Sequence, residues 1–173
     1  LGKIGFESAM LCKGAFHMKV IYHNRSNNRT AEKELNAKLV SFDDVLAQSD
    51  VIAVHTNLSA ETRGKFDHSV FAKMKRSAIF INTARGGIHN EPDLIAALQN
   101  GLIWGAGLDV TNPEPMSKDN PLLTMPSVAI TPHIGTATVE TRNAMANMAT
   151  LNIIAGLKGE RIPFPVNPEV YEN

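Results

Sequence analysis

Short apolar runs recur along the chain, with segments of helical periodicity between them. Runs at 18–22, 51–54, 78–82, 106–110 and 128–131 have the length of strands, and 38–40 is a weaker sixth. Most are continuous rather than alternating, which predicts strands buried on both faces. Helices are predicted between them. One spans 4–16 after a glycine-containing start. One spans 42–48 behind Ser41 as N-cap, with Asp44 in the capping-box position. One spans 91–99 behind Asn90, with Pro92 in its first turn and Gly101 beyond its end. The longest, 138–157, carries Ala144, Met148, Leu151 and Ala155 at helical spacing. This alternation of strand and helix predicts an α/β fold, a Rossmann-like doubly wound parallel sheet. After Gly159 come Pro163, Pro165 and Pro168, so the tail should run extended and need a surface to lie on.

Composition narrows the functional classes. With 173 residues, the chain has room for one sizeable core. Seventeen basic residues balance seventeen acidic ones. That neutrality gives no electrostatic reason to expect a nucleic acid or an anionic membrane as partner. The apolar runs are too short to span a bilayer. A lone Cys12 cannot form an internal disulfide, and no Cys/His cluster has zinc-ligand spacing. His17, His23, His55, His68 and His89 share no spacing that suggests a metal site. A reducing, cytoplasmic compartment is expected. Cys12 and Trp104 are expected to be core packing.

The chain opens Leu1-Gly2-Lys3-Ile4-Gly5 and then turns helical. This has the form of the last two glycines of a G-x-G-x-x-G turn. In such a turn the middle glycine lets backbone approach a pyrophosphate, and the last lets the helix pack close on the sheet. On its own the shortened motif reads equally well as a helix start with chance glycines. The strand at 18–22 then leads to His23-Asn24-Arg25-Ser26, where NAD-binding folds usually place an acidic residue on the ribose diol. A carboxylate there would repel a 2′-phosphate, whereas Asn24, Arg25 and Ser26 would accept one. NADP(H) is therefore favoured, with NAD(H) possible. A solvated basic turn is the plainer alternative.

Three further segments follow strands: Asn82-Thr83-Ala84-Arg85-Gly86-Gly87, Asp109-Val110 running on to Pro113-Glu114-Pro115, and Thr131-Pro132-His133-Ile134-Gly135. Ligands of open α/β sheets bind beyond the carboxyl ends of strands. Reduction of a 2-keto acid needs a planar cation for the carboxylate, which Arg85 can supply. It needs a proton donor for the carbonyl oxygen, a role for His133. Glu114 beside that histidine would favour its charged form and fix its orientation. Taken singly, each of the three has a structural alternative: a surface ion pair, a loop charge, a hydrogen-bonded histidine.

Taken together, the segments resemble the D-isomer-specific 2-hydroxyacid dehydrogenase family, and most closely its glyoxylate/hydroxypyruvate reductase branch. The resemblance runs over nearly the whole chain. It includes Glu61-Thr62-Arg63-Gly64, Gly105-Ala106-Gly107-Leu108-Asp109-Val110, Asn120-Pro121-Leu122-Leu123 and Pro132-His133-Ile134-Gly135-Thr136-Ala137-Thr138. It implies that Arg85 binds substrate, that His133 is the acid/base and that Glu114 is its carboxylate partner. The Arg85–Glu114 separation of 29 residues and the Glu114–His133 separation of 19 fit the family. It further implies that Gly2, Lys3 and Ile4 form the pyrophosphate loop. Thr83 and Asp109 would face the nicotinamide side, with Gly135 beside it. The segment His55-Thr56-Asn57-Leu58 departs from the family, which commonly has proline where Asn57 stands.

The resemblance implies an NAD(P)-binding domain over 1–157 and a tail, 158–173, that returns to a substrate-binding domain. The complete protein would be a homodimer acting on a small 2-keto or 2-hydroxy acid. The family's first strand would precede Leu1. Residues 1–173 alone would then leave two strands unpaired, and are expected to fold poorly and to be inactive. Two other readings stay open: a nicotinamide-sensing binding module of the same fold, and a fragment without activity.

Overall fold

The computed structural model describes residues 1–172. The chain divides into two compact units, Leu1–His133 and the segment from Ile134 onward.

In the first unit the elements run α1 (Lys3–Phe16), β1 (Ile21–Tyr22), α2 (Arg29–Leu35), β2 (Lys38–Leu39), α3 (Phe42–Gln48), β3 (Val51–Val54), α4 (His68–Phe71), β4 (Ile79–Asn82), α5 (Glu91–Gln99), β5 (Gly105–Leu108) and β6 (Val128–Ile130). All strand pairs are parallel. They form two sheets, β1–β2 and β3–β4–β5–β6. Among the described residues, one side of β1 and one side of β3 have no strand partner.

The caps follow the sequence. Ser41 accepts from the Asp44 amide and its hydroxyl donates to the Asp44 carboxylate at 2.5 Å. Asn90 accepts from the Asp93 amide at 3.2 Å. The main core lies where α3, α4 and α5 cover one face of the larger sheet: Leu46, Phe71, Leu94 and Ala97 pack with Ile52, Phe80 and Leu108. Phe80 meets Phe71 edge-on, with centroids 5.3 Å apart. A smaller cluster of Tyr22, Ala31, Leu35 and Ala37 joins α2 to the first sheet.

Several expectations need correction. The strand expected at 18–22 is paired only at Ile21 and Tyr22. The segment after Asn28, where no element is predicted, is helical in α2, and Asn28 caps it by accepting from the Ala31 amide. The strands are not uniformly buried on both faces. In β3, Ile52 and Val54 are buried while Val51 and Ala53 are exposed, because the helices gather on the opposite side. Trp104, expected in the core, is 62% exposed just before β5, where its backbone N–H donates to the Ala78 carbonyl.

The second unit is α6 (Val139–Leu157) with the tail folded on it. Thr138 caps the helix rather than beginning it, accepting from the Thr141 amide at 3.1 Å. Of the residues at helical spacing only Ala155 is buried. The tail finds its surface here: Asn152 and the Phe164 backbone exchange two hydrogen bonds of 3.0 Å. Tyr171 receives the Ile162 amide and lies under the Arg161 guanidinium.

Candidate active site

Parallel register brings three strand ends level. Asn82 stands beside Leu108, and Leu108 beside Ile130. The segments that leave β4, β5 and β6 therefore emerge at one edge, and they carry Arg85, Glu114 and His133 in turn.

There, His133 Nδ1 and Glu114 Oε1 are 2.6 Å apart. Nδ1–H donates to the carboxylate, which leaves Nε2 free to hold or release a proton. Both side chains are roughly half exposed, 47% and 42%. That hydrogen bond, aided by the Thr111 amide and by the charges of His133 and Arg85, holds the Glu114 carboxyl below its ordinary range. The His133 backbone is in the left-handed region, φ 55°, which histidine tolerates better than most side chains.

The Arg85 turn is organised by Asn82, a buried residue at the end of β4. Its Oδ1 accepts from the Ala84 amide and its Nδ2 donates to the Arg85 carbonyl, both at 3.0 Å. Gly86 then lies so close to the next segment that a Cβ would stand 1.9 Å from the Thr111 carbonyl oxygen. The Arg85 and Glu114 segments thus touch through backbone. Buried Glu91 steadies the second segment, accepting from the Asn112 amide at 3.2 Å and from Asn120 Nδ2 at 2.6 Å. Asp109 is also buried. It accepts from Thr131 Oγ1 at 2.5 Å, while its amide donates to the Asn82 carbonyl, so the ends of β4, β5 and β6 are tied together. Thr83 is exposed beside them.

The glycine turn lies at the start of α1. Gly2 is its N-cap and offers no side chain to the first amides of the helix. Gly2, Lys3 and Ile4 line a cavity of about 460 Å³ with Phe6, Glu7, Asn28 and Thr30. Nothing stands within 4 Å of the Gly2 Cβ position, whereas a Cβ on Gly5 would come 3.2 Å from the His55 ring. Open space before unpaired amides and close helix packing behind them suit a pyrophosphate. Asn24 accepts from the Leu1 nitrogen beside this turn, and Arg25 and Ser26 are exposed just beyond it. The residues present therefore fit a dinucleotide. Gly135 belongs to the second unit, in the turn before α6.

Sequence reasoning missed Asn82, Gly86 and Glu91. An amide at a strand end is a turn signal that points to Asn82. Glu91 reads as an ordinary first-turn carboxylate complementing a helix dipole. Among the described residues no cluster of His, Cys, Asp and Glu could hold a metal, and no helix is long and apolar enough to cross a membrane.

Residues 1–135 match the model of the D-isomer specific 2-hydroxyacid dehydrogenase NAD binding domain. The chain is 46% identical over 169 residues to a glyoxylate/hydroxypyruvate reductase B of Salmonella gallinarum, covering 98% of this chain and 52% of that protein. It is similar to a glyoxylate reductase structure from Paecilomyes thermophila (41% identity, TM-score 0.83, 91% of this chain and 47% of that one). It is also similar to a holo D-mandelate dehydrogenase from Rhodotorula graminis (32% identity, TM-score 0.89, 96% and 49%). The chain thus spans about half the length of the relatives it matches.

Proposed function

This chain belongs to the D-isomer specific 2-hydroxyacid dehydrogenase family, and from that premise we propose that the complete protein reduces a small 2-keto acid, glyoxylate or hydroxypyruvate, with NADPH. The observation that carries the reading is the 2.6 Å His133–Glu114 hydrogen bond at the edge where β4, β5 and β6 end, the edge from which the Arg85 turn also leaves.

When bound, the reduced nicotinamide supplies a hydride to the carbonyl carbon. Arg85 holds the substrate carboxylate, for which its planar fork is suited. His133 gives the proton on Nε2 to the carbonyl oxygen. Glu114 keeps Nδ1–H oriented and offsets the positive charge while the ring is protonated. Gly2, Lys3 and Ile4 would offer amides to the pyrophosphate. Thr83, Asp109 and Gly135 are assigned to the nicotinamide side on the family pattern.

Preference for NADP(H) over NAD(H) rests on Asn24, Arg25 and Ser26 after β1, a neutral amide, a guanidinium and a hydroxyl where a carboxylate would repel a 2′-phosphate. We further propose that the complete protein is a homodimer in a reducing, cytoplasmic compartment, in keeping with the single cysteine, Cys12, among these 173 residues. We assign 1–157 to the cofactor domain and 158–173 to a tail directed at a substrate-binding domain.

Oxidation of NADPH by the complete protein, followed at 2-keto acids including glyoxylate and hydroxypyruvate, tests the activity. Turnover that His133→Asn abolishes supports it. Cofactor binding without turnover on any 2-keto acid would instead identify a nicotinamide-binding module.

A further inference from the structure

We infer that His89, acting through the Asn82 amide, is a positioning residue for the Arg85 guanidinium. The inference rests on the proposed role of Arg85 as the group that holds the substrate carboxylate.

His89 lies next to α5 and is 1% exposed. Its Nδ1 is 2.9 Å from Asn82 Nδ2. The orientation of the Asn82 amide is fixed by its other partners. Oδ1 faces the Ala84 N–H, and Nδ2 faces the Arg85 carbonyl. Turned over, the amide would set an oxygen against the Arg85 carbonyl and an NH₂ against the Ala84 N–H. Nδ2 is therefore a donor, and His89 Nδ1 must accept. The ring is then the neutral tautomer with its proton on Nε2.

That Nε2 is buried without a hydrogen-bond partner. Burying an unsatisfied N–H costs free energy that an aliphatic side chain of similar volume would not incur. The ring does pack edge-on against Phe80, with centroids 5.9 Å apart. Packing alone does not call for an imidazole. What the imidazole adds is one acceptor, aimed at the second hydrogen of the Asn82 amide.

Both hydrogens and the oxygen of that amide are thus committed, one to His89 and two to the turn that presents Arg85. Burial also lowers the pKa of His89 to about 4, so the ring stays an acceptor at neutral pH. With the acceptor removed, the amide keeps its two bonds to the turn but loses the third, which ties it to the core, so the Ala84–Arg85 turn is held less firmly. Arg85 is exposed and, among the described residues, its Nη1 donates to the Ala84 carbonyl of the same turn. The direction of its guanidinium follows the turn.

The test compares His89→Leu, which removes the acceptor, with His89→Asn, which keeps an acceptor near the Nδ1 position. Steady-state kinetics of the complete protein with glyoxylate and hydroxypyruvate are paired with NADPH binding. In His89→Leu, KM for the keto acid should rise about tenfold, with kcat and NADPH affinity changed less than about twofold, the signature of lost substrate binding. His89→Asn should stay within about twofold of the parent KM. An unmoved KM in His89→Leu overturns the inference. So does damage to His89→Asn equal to that of His89→Leu, or a parallel loss of kcat and NADPH affinity. If His89→Leu does not fold, Asn82→Asp decides. It keeps the acceptor for Ala84 but loses the donor to Arg85, and an unchanged KM there overturns the inference. Absence of turnover in the parent protein defeats the proposed function itself, whereas turnover with an unmoved KM in these variants defeats only this inference.

Discussion

Glu114 and His133, 19 residues apart in the chain, meet in a 2.6 Å hydrogen bond at the edge where β5 and β6 end. The carboxylate is held below its ordinary range first by that bond. It is a depressed acid, so its ionised, bonded form is fully present above the ordinary carboxylate range. That form is lost only as pH falls through the lowered value. NMR of the His133 Nδ1 proton in the complete protein should show the bond surviving at pH values where a free glutamate would already be half protonated. Glu114→Gln removes the charge but keeps an acceptor. It should lower kcat by about tenfold to a hundredfold, part of the roughly 10²–10⁴ that acid–base catalysis supplies. An unchanged kcat would separate Glu114 from the proton transfer.

Arg85 should be distinguishable from lysine. A guanidinium binds a carboxylate through two parallel N–H donors, and an ammonium presents a point charge. Charged hydrogen bonds contribute about 1.5–3 kcal/mol, which corresponds to about a tenfold to hundredfold loss of affinity. Arg85→Lys should therefore raise KM for the keto acid by about that factor, with NADPH binding unaltered. Equal KM values for the two proteins would remove Arg85 from the substrate site.

The grouping of the candidate site was legible because its residues sit at strand ends. The apolar runs located β3, β4 and β6 within a residue, and the parallel register did the rest of the alignment. Arg85, Glu114 and His133 could thus be grouped without any contact being visible in the sequence. What stayed hidden was the support beneath them. Asn82 has a periodicity indistinguishable from the end of an apolar run, and Glu91 looks like a helix-start charge, yet both are buried and fully engaged. Helix α2 was hidden for a related reason. Its seven residues, Arg29–Leu35, bury only Ala31 and Leu35, too few to set a helical period against the turn-forming Asn27 and Asn28.

Cofactor choice should respond to a single carboxylate. Asn24→Asp places a negative charge after β1, where a 2′-phosphate would be repelled and a ribose diol accepted. KM for NADPH should rise about tenfold or more while KM for NADH falls, each tenfold step being about 1.4 kcal/mol. Identical cofactor constants before and after the change would place the adenosine ribose elsewhere.

His89 also predicts how stability follows pH. Its folded pKa, about 4, lies below the ordinary 6.5 because burial disfavours the charged ring. Between those values the unfolded chain binds a proton that the folded chain does not. Stability is therefore full above about pH 6.5 and declines as pH falls toward 4. The loss amounts to roughly 3 kcal/mol over that window, at about 1.36 kcal/mol per unit. Urea titrations of the complete protein at pH 7 and pH 5 should show the decline. In His89→Leu the same comparison should be flatter by most of that amount. Equal slopes in parent and variant would mean that another group carries the dependence.

Gly86 is the point at which the two halves of the site press together. A methyl group there would stand 1.9 Å from the Thr111 carbonyl oxygen and 2.2 Å from its carbon, both backbone atoms. No rotation of a flexible side chain can relieve that overlap. Either the Arg85 turn or the segment from Thr111 to Glu114 must shift. Thr111 is buried, its amide donates to Glu114 and its hydroxyl donates to the Pro113 carbonyl, so a shift would carry the Glu114 carboxylate with it. Overpacking of this kind costs about 1–3 kcal/mol, sometimes more. Gly86→Ala should therefore lower the urea midpoint by a corresponding amount. In whatever fraction folds, it should also raise KM and lower kcat together, because Arg85 and Glu114 part from each other. Gly101→Ala is the control. Gly101 has φ +62° but open space around its Cβ position, so alanine there is strained only locally and far from the site. It should cost stability without moving KM. If Gly86→Ala and Gly101→Ala behave alike in both measurements, the contact between the two segments does not set the geometry of the site.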